Sequence, residues 1–98
     1  VSDEAYTLSL ASSARRVLVE GPPPGLPIAV AAAATEFLTG PLLDSPRRVG
    51  KPLTRELSGY HSARRGAYRV ICRIDDTERT VHVVRIDHRA DVYGARLR

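Results

Sequence analysis

The chain is predicted to fold as an α+β domain: an N-terminal strand and a helical hairpin packed on a mainly antiparallel sheet, in the order β-α-α-β-β-β. Three observations carry this. Tyr6, Leu8 and Leu10 alternate with Thr7 and Ser9 near the start. A stretch from Ile28 to Leu38 has apolar residues at helical spacing between two Gly/Pro breaks. The second half returns to alternation, with β-branched runs separated by polar turns. Period-two stretches bury one side of a strand and period-3.6 stretches one face of a helix. A sheet with one face covered by helices and the other open satisfies both.

The first alternating stretch gives a short strand. Ser12 and Ser13 are candidate N-caps, and Ala14 to Glu20 is expected as a short helix carrying Val17 and Leu18. Gly21-Pro22-Pro23-Pro24-Gly25 forces a break, because three prolines remove donors and fix φ. Pro27 suits the first position of a second helix. Ile28, Ala31, Thr35 and Leu38, with Val30, Ala34 and Phe37, give that helix a broad apolar face. Gly40-Pro41 ends it, and a last turn is expected through Leu42 and Leu43 to Pro46.

The remainder reads as three strands. Leu57 to Arg64 is weakly patterned and turns at Arg65-Gly66. Tyr68, Val70, Cys72 and Ile74 share one face of the next strand, while Arg69, Ile71 and Arg73 share the other. Asp75 to Glu78 is a polar turn, and Thr80 to Asp87 is a β-branched strand. Residues 1–98 are expected as a single domain, with 1–4 and 94–98 as loose ends.

Charge is divided unevenly. Residues 1–46 hold two Lys/Arg against five Asp/Glu, whereas residues 47–98 hold thirteen against six. All but one of the cations are arginine, Lys51 being the exception. Arginine presents a planar, permanently charged fork that grips phosphate in two-toothed geometry. Arginines interleaved with His61, His82, His88, Tyr60, Tyr68 and Tyr93 point to RNA or DNA as partner. The lone Cys72 cannot close an internal disulfide, which favours a reducing compartment. No apolar run reaches membrane length and no signal peptide is evident, so a cytoplasmic protein is expected. Zinc spacing, a phosphate-binding Gly loop and a nucleophilic Ser motif are missing from the sequence. Asp75, Asp76 and Glu78 fit a hairpin turn better than a metal site; neither metal nor cofactor is expected.

The arginine face of the Tyr68–Ile74 strand is the expected chemical centre. Arg69 and Arg73 project from it together, Arg64 reaches it from the neighbouring strand, and His88, Arg89 and Tyr93 leave the end of the last strand. Such a set suits cleavage of RNA by its own 2′-OH. His88 can serve as base or acid, Tyr93 can hold or protonate the leaving oxygen, and Arg64, Arg69 and Arg89 can stabilise transition-state charge. Each has a plainer role open to it: His88 as a turn residue, His82 as structural, and Arg73, Arg79 and Arg85 as solvated strand charges.

The segments GKPLTRELSGYHSARRGAYRV (Gly50 to Val70), IDD (Ile74 to Asp76) and RIDHRADVY (Arg85 to Tyr93) resemble RelE-type toxins of the RelE/ParE superfamily, above all its actinobacterial RelE-like branch. The resemblance covers nearly the whole chain. It implies a metal-independent endoribonuclease (an mRNA interferase) that cuts mRNA in the ribosomal A site and inhibits translation. It implies Arg69 as the arginine that stabilises the transition state, Arg89 as a second active-site arginine, and Tyr93 as the C-terminal tyrosine that stacks on substrate or aids proton transfer. Arg64 and Arg65 match basic residues of the RNA-facing strand, with Lys51, Arg55 and His61 as further RNA-binding positions. The two lysines of the best-studied branch fall near Tyr60 and Ser62, and Leu53 stands where a relative has a glutamate base. That leaves His88 or His61 for the base. The implied partners are the ribosome, mRNA and a cognate antitoxin, RelB-like or Phd-like, with no membrane. The alternatives are a ParE-like inhibitor of DNA gyrase, or an inactive toxin or RNA-binding module acting in autoregulation.

Overall fold

Strand β1 (Thr7–Leu10) runs straight into helix α1 (Ser12–Val19). A computed structural model describes residues 5–20 and 26–88. The expected loose ends and the proline break at 22–24 lie outside the described residues. Ala11, not Ser12 or Ser13, is the N-cap of α1, and no side chain caps it. The Ala11 N–H donates to Val83 O at 2.9 Å, and the Ala11 carbonyl accepts from Arg15 N–H at 2.9 Å. The sheet thus hands the backbone directly to the helix and satisfies one of the amide groups that a helix start leaves without an intrahelical partner.

Helix α2 (Ile28–Thr39) follows Pro27, which is its N-cap. Near its end Thr35 and Thr39 donate hydroxyls back to Ala31 O and Thr35 O, at 2.9 and 2.7 Å. Gly40 stops it; a Cβ there would lie 3.1 Å from Glu36 O. Two short turns follow, α3 (Pro41–Asp44) and α4 (Pro46–Val49), each with Pro at its first position. The second of these is additional to the sequence expectation.

Five strands form one sheet, where four were expected. Strand β2 (Lys51–Pro52) is followed by a 3₁₀ turn (Arg55–Leu57), β3 (Tyr60–Arg65), β4 (Tyr68–Asp75) and β5 (Thr80–His88). Strand β3 begins at Tyr60 rather than Leu57, because Arg55 and Gly59 sit at φ +61° and +95° and break the extended run. The β3–β4 hairpin has two turn residues, Gly66 and Ala67, with Gly66 at φ +54° supplying the left-handed conformation. The order is β1-β5-β4-β3-β2. Strand β1 pairs parallel to β5 and the remaining pairs are antiparallel, so the sheet is mixed.

The helices cover the face bearing Tyr68, Val70 and Cys72, as alternation predicts. Leu26, Leu38, Leu42, Val70, Val81, Val83 and Cys72 are fully buried, and Phe37 packs at an inclined angle on Tyr68 with centroids 6.4 Å apart. Burial raises the Cys72 thiol to about 11, which keeps it unreactive.

Strand β5 departs from simple alternation. Ile71 pairs with Arg85 and Cys72 with Val83, leaving Val84 as the extra residue of a β-bulge. Val81 and Val83 face the helices before it; Ile86 faces them after it. Beyond the bulge every side chain is on the opposite face from the one simple alternation assigns. Among the described residues, no helix is long and apolar enough to cross a membrane.

Candidate nucleic-acid interface

The uncovered face of the sheet is built from β3, β4 and β5. Cross-strand partners share a face, so the pairing register locates each side chain. Arg64 stands opposite Arg69, and Arg69 opposite Asp87. One step down the sheet, Lys51 faces Ser62, Ser62 faces Ile71 and Ile71 faces Arg85. A further step brings Tyr60, Arg73 and His82 into one row. Lys51, Arg64, Arg69, Arg73 and Arg85 therefore lie on one open surface. Arg73 is four residues from Arg69, about 13 Å along the strand. It shares the face, as expected, but belongs to the far side of the patch.

Asp87 organises the Arg69 end. Its side chain is only 15% exposed, against 36% for Arg69 and 70% for Arg85. Arg85 Nε donates to Asp87 Oδ1 at 2.7 Å, and Arg69 Nη2 lies 3.8 Å from Asp87 Oδ2. Arg85 is therefore not simply solvated. Arg69 Nε is buried with no hydrogen-bond partner among the described residues. No sequence argument singled out Asp87, because uninterrupted alternation turns it toward the core. The bulge that brings it out is visible only once Val83 and Arg85 are paired.

The same register moves three expected site residues to the other face. His88 pairs with Tyr68, and Tyr68 packs beneath Phe37, so His88 is on the helix side of the sheet and not beside Arg69. His61 pairs with buried Cys72, and its Nδ1 is buried with no partner among the described residues. Desolvation, then the nearby Arg47 charge, lowers its pKa from 6.5. Arg65 pairs with Tyr68, and its guanidinium lies 4.7 Å over the Phe37 ring. Arg55 is exposed on the 3₁₀ turn, off the sheet. Arg89 and Tyr93 lie outside the described residues.

Two other features belong to the frame. A recess of about 670 Å³ opens between α2 and the β3–β4 turn, lined chiefly by Ala29, Ala33, Phe37, Arg65 and Tyr68. It is on the helix side, remote from the arginine face. At the opposite end Arg47 forms a two-toothed ion pair with Asp76 at 2.7 and 2.9 Å, Tyr6 donates its hydroxyl to the same carboxylate, and Arg79 stacks 4.6 Å over the Tyr6 ring. These hydrogen bonds hold the Asp76 carboxyl down at about 2. The β4–β5 turn is thereby clamped to α4 and β1. Among the described residues, no cluster of His, Cys, Asp and Glu has the geometry to hold a metal ion.

The architecture matches that of RelE toxins of known structure. The toxin–antitoxin complex RelBE2 from Mycobacterium tuberculosis aligns with TM-score 0.77 and 49% identity, covering 87% of this chain and 99% of that one. The intact Escherichia coli RelBE complex aligns with TM-score 0.67 at 20% identity over 86% and 96% of the chains, a likeness of fold. In sequence, the chain is 51% identical over 88 residues to toxin RelG of M. tuberculosis, covering 90% of this chain and 95% of RelG. It is 44% identical over 91 residues to toxin RelE of the same organism, covering 93% and 89%. Residues 28–93 match the family described as the ParE toxin of the type II toxin–antitoxin system parDE. The chain belongs to this family, and is a type II toxin of the RelE/ParE superfamily.

Proposed function

We propose that the protein is a ribosome-dependent mRNA endoribonuclease that inhibits translation by cutting mRNA in the ribosomal A site. The observation that carries this reading is the cross-strand pair Arg64–Arg69 on the open face, with Arg85 and Lys51 beside it. Like charges directly opposite one another destabilise a sheet. Two arginines at about 5 Å between Cβ atoms suit a doubly charged oxygen cage, such as a phosphodiester under attack.

In the proposed reaction the RNA 2′-OH attacks the adjacent phosphorus and the 5′ oxygen leaves, giving a 2′,3′-cyclic phosphate and a free 5′-hydroxyl. Arg69 and Arg64 neutralise the charge that grows on the non-bridging oxygens. Arg89 takes the second-arginine role, and Tyr93 the stacking or proton-transfer role, that the family resemblance implies. His88 and His61 are weaker candidates for the base, since both are on the helix side of the sheet. The ribosome supplies the alignment of mRNA that so sparse a site needs.

The relatives named RelE, and the RelBE2 complex, support a RelB-like antitoxin as partner, ahead of a Phd-like one. An acidic segment of such an antitoxin complements the open cationic face. A protein acting on ribosomes would work in the cytoplasm, which is the localisation this reading implies. The family's ParE description favours a second reading, inhibition of DNA gyrase.

Primer extension on a reporter mRNA in a bacterial translation extract tests the proposal. Cuts within codons on ribosome-bound mRNA, and none on naked mRNA, are the expected result. Intact mRNA with altered plasmid supercoiling overturns it in favour of gyrase. Inactivity in both assays leaves a binding role in autoregulation.

A further inference from the structure

We propose that Asp87 is a positioning residue: its carboxylate holds the Arg69 guanidinium in the orientation that meets the scissile phosphate. This rests on the mRNA-cleaving reading above and extends it to a residue that contacts no substrate.

Three observations converge on Asp87. The β5 bulge turns it onto the open face directly opposite Arg69. Its side chain is the most enclosed of the charged trio Arg69, Asp87 and Arg85. It takes a 2.7 Å hydrogen bond from Arg85 Nε on one oxygen and lies 3.8 Å from Arg69 Nη2 on the other. The Arg69 Nε is buried without a hydrogen-bond partner among the described residues, and the Asp87 carboxylate forms an ion pair with the Arg69 guanidinium at 3.8 Å. Asp75 also projects on this face, but its Oδ1 accepts the Glu78 N–H at 3.0 Å and is committed to the turn.

A carboxylate beside a phosphate site is costly unless it does something in return. Arg64, Arg69 and Arg85 crowd one end of the sheet, and mutual repulsion drives such side chains out into water. One half-buried anion offsets part of that repulsion and leaves the group cationic. It also removes rotational freedom from Arg69 before substrate arrives, so the guanidinium needs no reorganisation during the reaction. Both oxygens of Asp87 are approached by guanidiniums, which suits an orienting group better than a proton acceptor.

The test compares wild type, Asp87→Asn and Asp87→Ala in the translation extract. It reads the saturating cleavage rate, the concentration giving half-maximal rate, and the pH profile. Nitrogen-15 relaxation of the Arg69 Nε–H reads its order directly in each folded protein. Asp87→Ala is expected to lower the saturating rate about 30-fold, less than the roughly 100-fold cost of misplacing a catalytic group by about 1 Å because Arg69 keeps its strand position. Half-saturation should move less than about threefold, the pH profile should keep its shape, and Arg69 should lose order. Asp87→Asn, which keeps the shape and an acceptor oxygen, should fall between. Arg85→Ala, which loosens Asp87 but also removes a cation of the open face, is read by Arg69 order alone, which should fall less than in Asp87→Ala; circular dichroism of each variant guards against misfolding. An unchanged rate or unchanged Arg69 order overturns the proposal. Disappearance of one limb of the pH profile in Asp87→Asn overturns it in favour of a proton acceptor. A wild-type protein that leaves mRNA intact overturns the endoribonuclease reading and this one with it.

Discussion

Arg64 and Arg65 are neighbours in sequence and stand on opposite faces of β3. Arg64 meets Arg69 on the open side, where its charge is available to a ligand. Arg65 lies over the Phe37 ring on the helix side, where its charge is part of the packing. The histidines divide in the same way: His82 is on the open face, while His61 and His88 are on the covered one. Residue type alone does not separate these fates. A one-residue step along a strand changes the face, and the helices decide which face stays open to a partner.

The largest effect is expected at Arg69, on the open face. Arg69→Ala is expected to cut ribosome-dependent cleavage by about 100-fold or more, since removing one transition-state donor has that scale of cost. The melting temperature should scarcely move. A folded, fully active Arg69→Ala protein would remove the open face from the mechanism.

The opposite substitution lies under the covered face. Leu38 is 1% exposed, and Leu38→Ala should cost about 3 kcal/mol of stability through the cavity it leaves. Urea denaturation measures this, and the residual folded protein should cleave at the wild-type rate.

The adjacent pair sharpens the contrast further. Arg64→Ala is expected to reduce cleavage about tenfold with little change in stability. Arg65→Ala should keep cleavage within about twofold and lose about 0.5–1 kcal/mol of stability from the ring contact. Parallel rate and denaturation measurements on the two variants decide the point; equal losses of activity would mean that both arginines reach the RNA.

The smallest effect concerns His61. Its pKa is lowered in the folded protein, so the unfolded chain takes up the proton first as pH falls below 6.5. Stability should therefore be greatest above that pH and decline on the acid side. His61→Gln should flatten the decline between pH 7.5 and 5, as read by denaturation at each pH, while cleavage continues. Asp76 runs in the same sense in a lower window: its lowered pKa means that the clamp with Arg47 persists through this range and weakens only as pH falls toward about 2.

Much of this frame was legible in the residues. The alternation of Tyr68, Val70 and Cys72 against Arg69, Ile71 and Arg73 located both the core face and the arginine face. Gly40-Pro41 marked the end of α2. Other features were hidden for definite reasons. Strand β2 is two residues long and contains proline, so no periodicity announces it. The parallel pairing of β1 with β5 joins residues more than seventy positions apart, which no local pattern encodes. His61 was expected to bind RNA or serve as the base, and β3 has little alternation to show that it faces the helices instead.

The layer order, the uneven charge and the arginines that face away from the helices could be read from the residues alone, because they follow from side-chain period and chemistry along single elements. Which neighbours those arginines meet depends on how the strands pair. The bulge at Val84 turns Asp87 toward Arg69 and His88 away from it. It lets β5 keep Val81, Val83 and Ile86 in the core while Arg85 and Val83 pair with Ile71 and Cys72 of β4, a register that depends on the two strands together.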